Sequence, residues 1–209
     1  MNTQEFKQPG IAQVQEAFRK AANSPEIQTM LRTLYGNAVE QEEPDNRPIT
    51  ERIKTFEDAV NALGDTHPLV IQYSDIFGSF LEGAAAYNSC DIVAYLKLRI
   101  ICAALNEGWE PKFTEDEWRY YPYFWLYTQK EIDEMEAEEK QERRLMSTGG
   151  FQTEYAGFAC ASSISVPSST GADIGSRLCL KSDTLAIYCG KQFIDLWADF
   201  YLIRKSDND

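Results

Sequence analysis

Histidine is almost missing from this chain. His67 is the one histidine in 209 residues. That excludes metal centres built on several imidazoles and leaves a single candidate for imidazole acid–base chemistry. His67 precedes Pro68 in a turn, with no nucleophile at an informative spacing, so a capping or surface role is the expectation. Basic residues are also scarce. Lys plus Arg number 20 against 33 Asp plus Glu, a formal net charge of −13. Such a chain lacks the basic surface that holds duplex nucleic acid by displacing counterions from phosphate. Long apolar runs are missing too. The most apolar stretch, Ile92 to Leu105, contains Lys97 and Arg99. It is shorter than the roughly 20 residues that cross a bilayer. Met1 to Lys20 is polar and then amphipathic, without the apolar core of a secretory signal, so no membrane association and a cytoplasmic location are expected.

Several motifs are missing as well. Neither GxGxxG nor GxxxxGK[ST] occurs, so no phosphate-cradling loop is marked. No GxSxG elbow and no HExxH zinc site occur either. Gly171 to Ser176 contains glycines but fits no phosphate-loop pattern and reads as a turn. Glu115, Asp116 and Glu117 are adjacent carboxylates, which a strand would point to opposite faces. Cys90, Cys102, Cys160, Cys179 and Cys189 are odd in number, form no CxxC pair and match no zinc framework. They read as reduced, structural thiols. No metal and no cofactor are therefore expected.

What is present is enough apolar material for a core: 44% of residues are hydrophobic. Residues 1–36 read as a helical arm. Ile11 to Ala22 carries Ile11, Val14 and Phe18 at helical spacing. Ser24-Pro25 opens a second helix, with Ile27, Met30, Leu31 and Leu34 on one face, and Gly36 is placed to end it. Residues 37–48, with Glu40, Glu42, Glu43, Pro44, Asp45 and Pro48, read as an acidic linker.

Residues 49–209 form the main domain. Thr55 is placed to cap a helix from Phe56 to Leu63, stopped by Gly64. The dominant helix should run from about Gly83 to Asn106, apolar nearly all round and therefore buried. Trp118 to Tyr127 alternates as a strand. Thr128 and Glu131 have the spacing of a capping box. They open a charged helical insertion over 129–145, expected to carry the pairs Glu136–Lys140 and Glu139–Arg143. Further strands are expected over 150–160 and 174–181, with a serine-rich loop from Ser162 to Gly171 between them. Ser182 should cap a final helix running to about Ile203, whose Leu185, Phe193, Leu196 and Trp197 face the sheet. The expected class is α+β: a helical N-terminal half packed with a small antiparallel sheet, covered by a C-terminal helix.

The aromatic run from Trp118 to Trp125 is the most unusual feature. One reading makes it a core strand between two layers. The other makes Arg119, Tyr121, Tyr123 and Trp125 a stacking platform for bases, sugars or a planar ligand. The preceding acidic residues count against nucleic acid.

Several segments carry a resemblance in one order. They are Thr55-Phe56-Glu57-Asp58-Ala59, then Ala94 to Ile101, then Ala104 to Pro111. Arg119 to Phe124, Gly175 to Ser182 and Gly190 to Phe193 follow. Together, over about residues 49–203, they resemble an uncharacterised family of tailed phages and integrated mobile elements of gut bacteria. The resemblance implies no activity and no catalytic residues. It implies an accessory or structural role, in the bacterial host cell or associated with the virion.

The leading expectation is a non-enzymatic interaction protein. Its arm would meet a protein partner or a second copy through Ile11, Val14, Phe18, Ile27, Leu31 and Leu34. The alternatives are an aromatic-platform binder of single-stranded nucleic acid or a nucleotide-like ligand, a virion structural component, and an enzyme with an unrecognised carboxylate site.

Overall fold

The computed structural model describes residues 11–21, 24–40, 45–77, 91–112, 114, 116–167 and 176–205. The chain divides into two compact units, Met1–Arg47 and Pro48–Asp209.

The first unit is a pair of packed helices, α1 (Ile11–Lys20) and α2 (Pro25–Glu40). Val14 and Ala21 are buried, and the Arg32 guanidinium lies over the Phe18 ring at 5.1 Å. α2 is two helical pieces joined at a kink at Tyr35, where φ is −136° and ψ 29°, so the first piece breaks beside Gly36 and a second runs on to Glu40.

The second unit is α+β. It begins with α3 (Ile49–Arg52), α4 (Phe56–Leu63) and α5 (Pro68–Phe77), followed by α6 (Asp91–Asn106). The part of the long helix expected before Asp91 lies outside the described residues. Thr55 caps α4 as expected: its Oγ1 accepts the Asp58 N–H at 3.1 Å, and the Asp58 carboxylate accepts the Thr55 N–H at 2.9 Å. Gly64, at φ 81°, ends the helix. Apolar residues all round α6 bury Leu98, Ile100, Ile101 and Leu105 completely. α4, α5 and the last helix pack around it.

Among the described residues the sheet has three antiparallel strands, β1 (Trp118–Tyr127), β2 (Met146–Ser147) and β3 (Gly157–Pro167), in the order β1-β3-β2. β1 is thus an edge strand among them. Two short helices, α7 (Gln129–Glu134) and α8 (Ala137–Glu142), join β1 to β2. Beyond β3 come a 3₁₀ turn at Ser176–Leu178, then α9 (Asp183–Gln192) and α10 (Ile194–Tyr201). Ser182 caps α9 through the Leu185 N–H at 3.3 Å. α9 lies across β1 and β3. It is tied to the helical layer by the Tyr188 hydroxyl, which donates to the Ile53 carbonyl at 2.6 Å.

Four expectations are corrected. The strand expected over 150–160 begins only at Gly157 and continues through Ser162–Pro167, which read as a loop. Pairing with β1 decides its extent, against the low strand propensity of serine. Phe151 does alternate, but it is buried and bridges to Arg204 instead of joining the sheet. The third strand is Met146–Ser147; of the described residues in 176–181, Leu180 makes an isolated bridge, to Tyr120, while 174–175 lie outside the described residues. The charged insertion is two helices, because Met135 and Glu136 are extended, at ψ 134° and 154°. Glu136 therefore lies outside α8 and forms no ion pair with Lys140. Glu139 and Arg143 do pair, at 2.9 Å. The final helix is likewise broken, at Phe193, where φ is −115° and ψ 35°.

Candidate binding cleft along the aromatic strand

The alternation of β1 sorts its side chains by face. Tyr120, Phe124 and Leu126 pack on the core. Phe124 stacks on Phe158, with centroids 4.7 Å apart, and meets Trp197 and Tyr201 at 5.5 and 5.7 Å. The opposite face changes along its length. Arg119 and Tyr121 are buried, at 0% and 4% exposure, whereas Tyr123 and Trp125 are 38% and 48% exposed. Tyr123 and Trp125 lie against each other, centroids 5.9 Å apart and tilted by 52°. One face of the run is thus core, and the other is exposed only at Tyr123 and Trp125.

The register of β1 against β3 shifts between Tyr123 and Phe124, leaving Ala161 as the extra residue on β3. Such a bulge bends the strand that carries it and increases local twist. It falls where the outer face of β1 passes from buried to exposed.

At the end of β1, Thr128 and Glu131 form the expected capping box. The Glu131 carboxylate accepts the Thr128 N–H and hydroxyl, both at 2.8 Å. These donors hold its carboxyl below the usual range, so it stays ionised. Tyr127 is anchored from below by Arg143, which donates to its hydroxyl at 2.8 Å.

These residues surround a cleft of about 860 Å³. Tyr121, Tyr123 and Trp125 line it from one face of β1, and Pro122, Phe124 and Leu126 from the other. Tyr201, Leu202 and Glu131 complete much of the wall. The cleft thus runs along β1, with Phe158 and Ile164 of β3 also in its wall. Among the described residues, no basic side chain lines it. Burial raises the Tyr121 phenol to about 12 and also raises the Tyr201 phenol, so both are neutral donors at ordinary pH.

Of the four platform residues, Tyr121, Tyr123 and Trp125 line the cleft. Arg119 does not; it is buried near Tyr121 and Cys179, where its charge opposes the upward push of burial on the Cys179 thiol, which still rises to about 11. Tyr201 and Leu202 were not marked as site residues. Tyr201 stood at the end of the apolar stripe of the last helix, and tertiary packing alone brings it to β1.

The His67 Nδ1 accepts the Leu69 N–H at 3.2 Å, closing the start of α5. The Glu117 carboxylate accepts the Lys112 N–H at 2.8 Å, while Glu115 and Gly171–Gly175 lie outside the described residues. Cys102, Cys160, Cys179 and Cys189 are free and buried; Cys90 lies outside the described residues. The Cys102 thiol is pushed well above its ordinary value by its hydrogen bond with Cys189 and by burial. Among the described residues, no group of three or more His, Cys, Asp or Glu is placed to hold a metal ion. No helix among them is long and apolar enough to cross a membrane.

In the arm, Val14 is buried, Phe18 and Leu31 are half-buried, and Ile27 and Leu34 are exposed together with Met30. The side chain of Ile11 lies outside the described set. Comparison with protein-family models, with curated proteins and with solved structures finds no match.

Proposed function

We propose that this chain is a non-enzymatic interaction protein that receives a protein partner in the cleft along β1. The observation that carries the reading is the exposed Tyr123–Trp125 pair in a cleft that also holds Phe124 and Tyr201. Aromatic side chains at this density, half in water, are characteristic of the centre of recognition surfaces. The exposed Ile27, Met30 and Leu34 of α2 supply a second apolar surface, suited to self-association or to the same partner. Following the resemblance read from the segments over 49–203, the proposed role is an accessory one, in a bacterial host cell or on a virion.

A second reading, a platform for nucleotides or single-stranded nucleic acid, draws on the same exposed rings. The burial of Arg119 takes away its cation, and Glu131 places a negative charge in the wall. Selection of a random peptide library against the full chain separates the two. Enriched peptides should lose binding to a Tyr123→Ser, Trp125→Ser variant. Tryptophan fluorescence that responds to nucleotides or oligonucleotides at low salt, with no peptide enriched, would favour the platform instead.

A further inference from the structure

Taking the cleft as a partner site, we infer that its occupant is an extended, basic polypeptide segment, which joins the sheet as an added strand along the free edge of β1. The backbone carries this inference. The Tyr120 N–H donates to the Leu180 carbonyl at 3.1 Å, and the Tyr120 carbonyl accepts the Leu180 N–H at 2.8 Å. Both polar groups of Tyr120 thus point away from β3. Successive residues of an antiparallel strand turn these groups alternately to either side. Pro122, Phe124 and Leu126 therefore address the free edge, and the odd-numbered residues address β3. The bulge leaves this phase intact, because its extra residue lies on β3. At the far end the Tyr127 carbonyl accepts the Ala156 N–H at 2.8 Å, on the β3 side as the phase requires.

Pro122 confirms the phase from sequence. Proline has no N–H to give and belongs where a strand faces no partner. Beyond it, the phase turns the N–H and C=O groups of Phe124 and Leu126 away from β3, and neither residue has a backbone hydrogen bond to a described residue outside the sheet. Exposed edges are ordinarily blunted by lysine, by proline, by bulges in the edge strand or by a covering element; Pro122 blunts the start of this one, and the stretch left for pairing is Phe124 to Leu126. This edge has no lysine in its lining, and its flanks are aromatic. It suits main-chain pairing, with alternate side chains of the incoming strand falling on Phe124 and Tyr201 to one side and on Tyr123 and Trp125 to the other.

Charge selects the occupant. A second copy pairing edge to edge would bring two chains of net charge −13 together and set Glu131 of each near the shared cleft. A lysine- or arginine-bearing strand meets the opposite field, and it finds the ionised Glu131 at the Thr128 end.

The probe is a capped peptide of about eight residues, an ordinary strand length, alternating lysine with valine or tyrosine. It is titrated into the full chain and followed by Trp fluorescence and by amide exchange. The expected result is binding that slows exchange of the Phe124 and Leu126 amides at least about tenfold. N-methylation along the peptide should weaken binding with a period of two, by about tenfold at each paired position, and glutamate in place of lysine should abolish it. Peptide binding without that periodicity and without amide protection would overturn strand addition while leaving the cleft a partner site. Failure of both this probe and the selected library would overturn the partner reading itself. A dimer in solution that already protects the Phe124 and Leu126 amides would make the occupant a second copy and overturn the basic partner.

Discussion

Gly190 of α9 lies directly over Pro122 of β1. A Cβ built at Gly190 would fall 2.8 Å from Pro122 Cβ and 2.6 Å from the Cys160 Sγ. Only a residue without a side chain allows the helix this close to the sheet, and the closeness fixes β1 at the start of its free edge. The constraint is steric rather than conformational.

Gly190→Ala should therefore destabilise the main unit by about 1–3 kcal/mol, although alanine is the better helix former. Urea unfolding checks it. Adding Cys160→Ala removes one of the two obstructing atoms and should recover part of the loss, whereas the Pro122 contact remains. Strict additivity in the double-mutant cycle would contradict the shared contact.

Trp197 is 1% exposed and packs between Phe124 and Tyr201, with centroids 5.5 and 5.8 Å away. Its Nε1–H finds no acceptor among the described residues. Trp197→Ala should cost about 3–5 kcal/mol through lost burial and the cavity left behind. Trp197→Phe keeps a ring in the stack and removes the unsatisfied donor, so it should cost far less. Equal losses for the two variants, measured by denaturant midpoint, would show that a ring in the stack is not enough and that the site requires the indole itself.

The local signals in the sequence were reliable because they depend on neighbours in the chain. Thr55 with Asp58, Thr128 with Glu131, and Ser182 each cap the helix that follows them. The alternation of 118–127 puts Phe124 and Leu126 on one face and Tyr123 and Trp125 on the other, and packing decides which of the two is core. What the sequence concealed depends on tertiary pairing. Ser162 to Pro167 is a strand because β1 lies beside it. Phe151 leaves the sheet because Arg204 and Phe151 bridge instead. Arg119 sat in an exposed-looking aromatic run and is fully buried, and Tyr201 reaches the cleft only through the packing of α10. The free edge had one sign in the sequence, Pro122, and its meaning required the phase set by Leu180.

Asn106, at the end of α6, is buried and holds the chain between the 3₁₀ turn and α9. Its Nδ2 donates to the Cys179 carbonyl at 2.9 Å, and its Oδ1 accepts the Lys181 N–H at 3.0 Å. The same segment supplies Leu180 to Tyr120. Asn106→Ala should cost about 2–4 kcal/mol, since two backbone groups lose their partners. Amide exchange should quicken first at Leu180 and Lys181. A uniform change across α9 and β1, without that local effect, would argue against a clamp.

Glu107 follows Asn106 with a backbone φ of 49°, and its carboxylate bridges Lys181, whose Nζ lies 2.9 Å away, and Arg52. The hydrogen bond from Lys181, and then that from Arg52, hold its carboxyl below the ordinary value of 4.5. The folded state therefore binds this proton less readily than the unfolded chain. The contribution to stability is complete above about pH 4.5 and is lost as pH falls through the lowered folded value. Asp58 and Glu131, lowered chiefly by the Lys54 and Thr128 backbone N–H groups respectively, act with the same sign. Glu107→Gln should flatten, without abolishing, the fall in melting temperature on acidification below pH 4.5, and should leave stability near pH 7 modestly reduced. Because the carboxylate is partly exposed, high salt should narrow the difference between the two proteins. Parallel melting curves across the acid range would remove Glu107 from the acid response and leave it to the capping carboxylates.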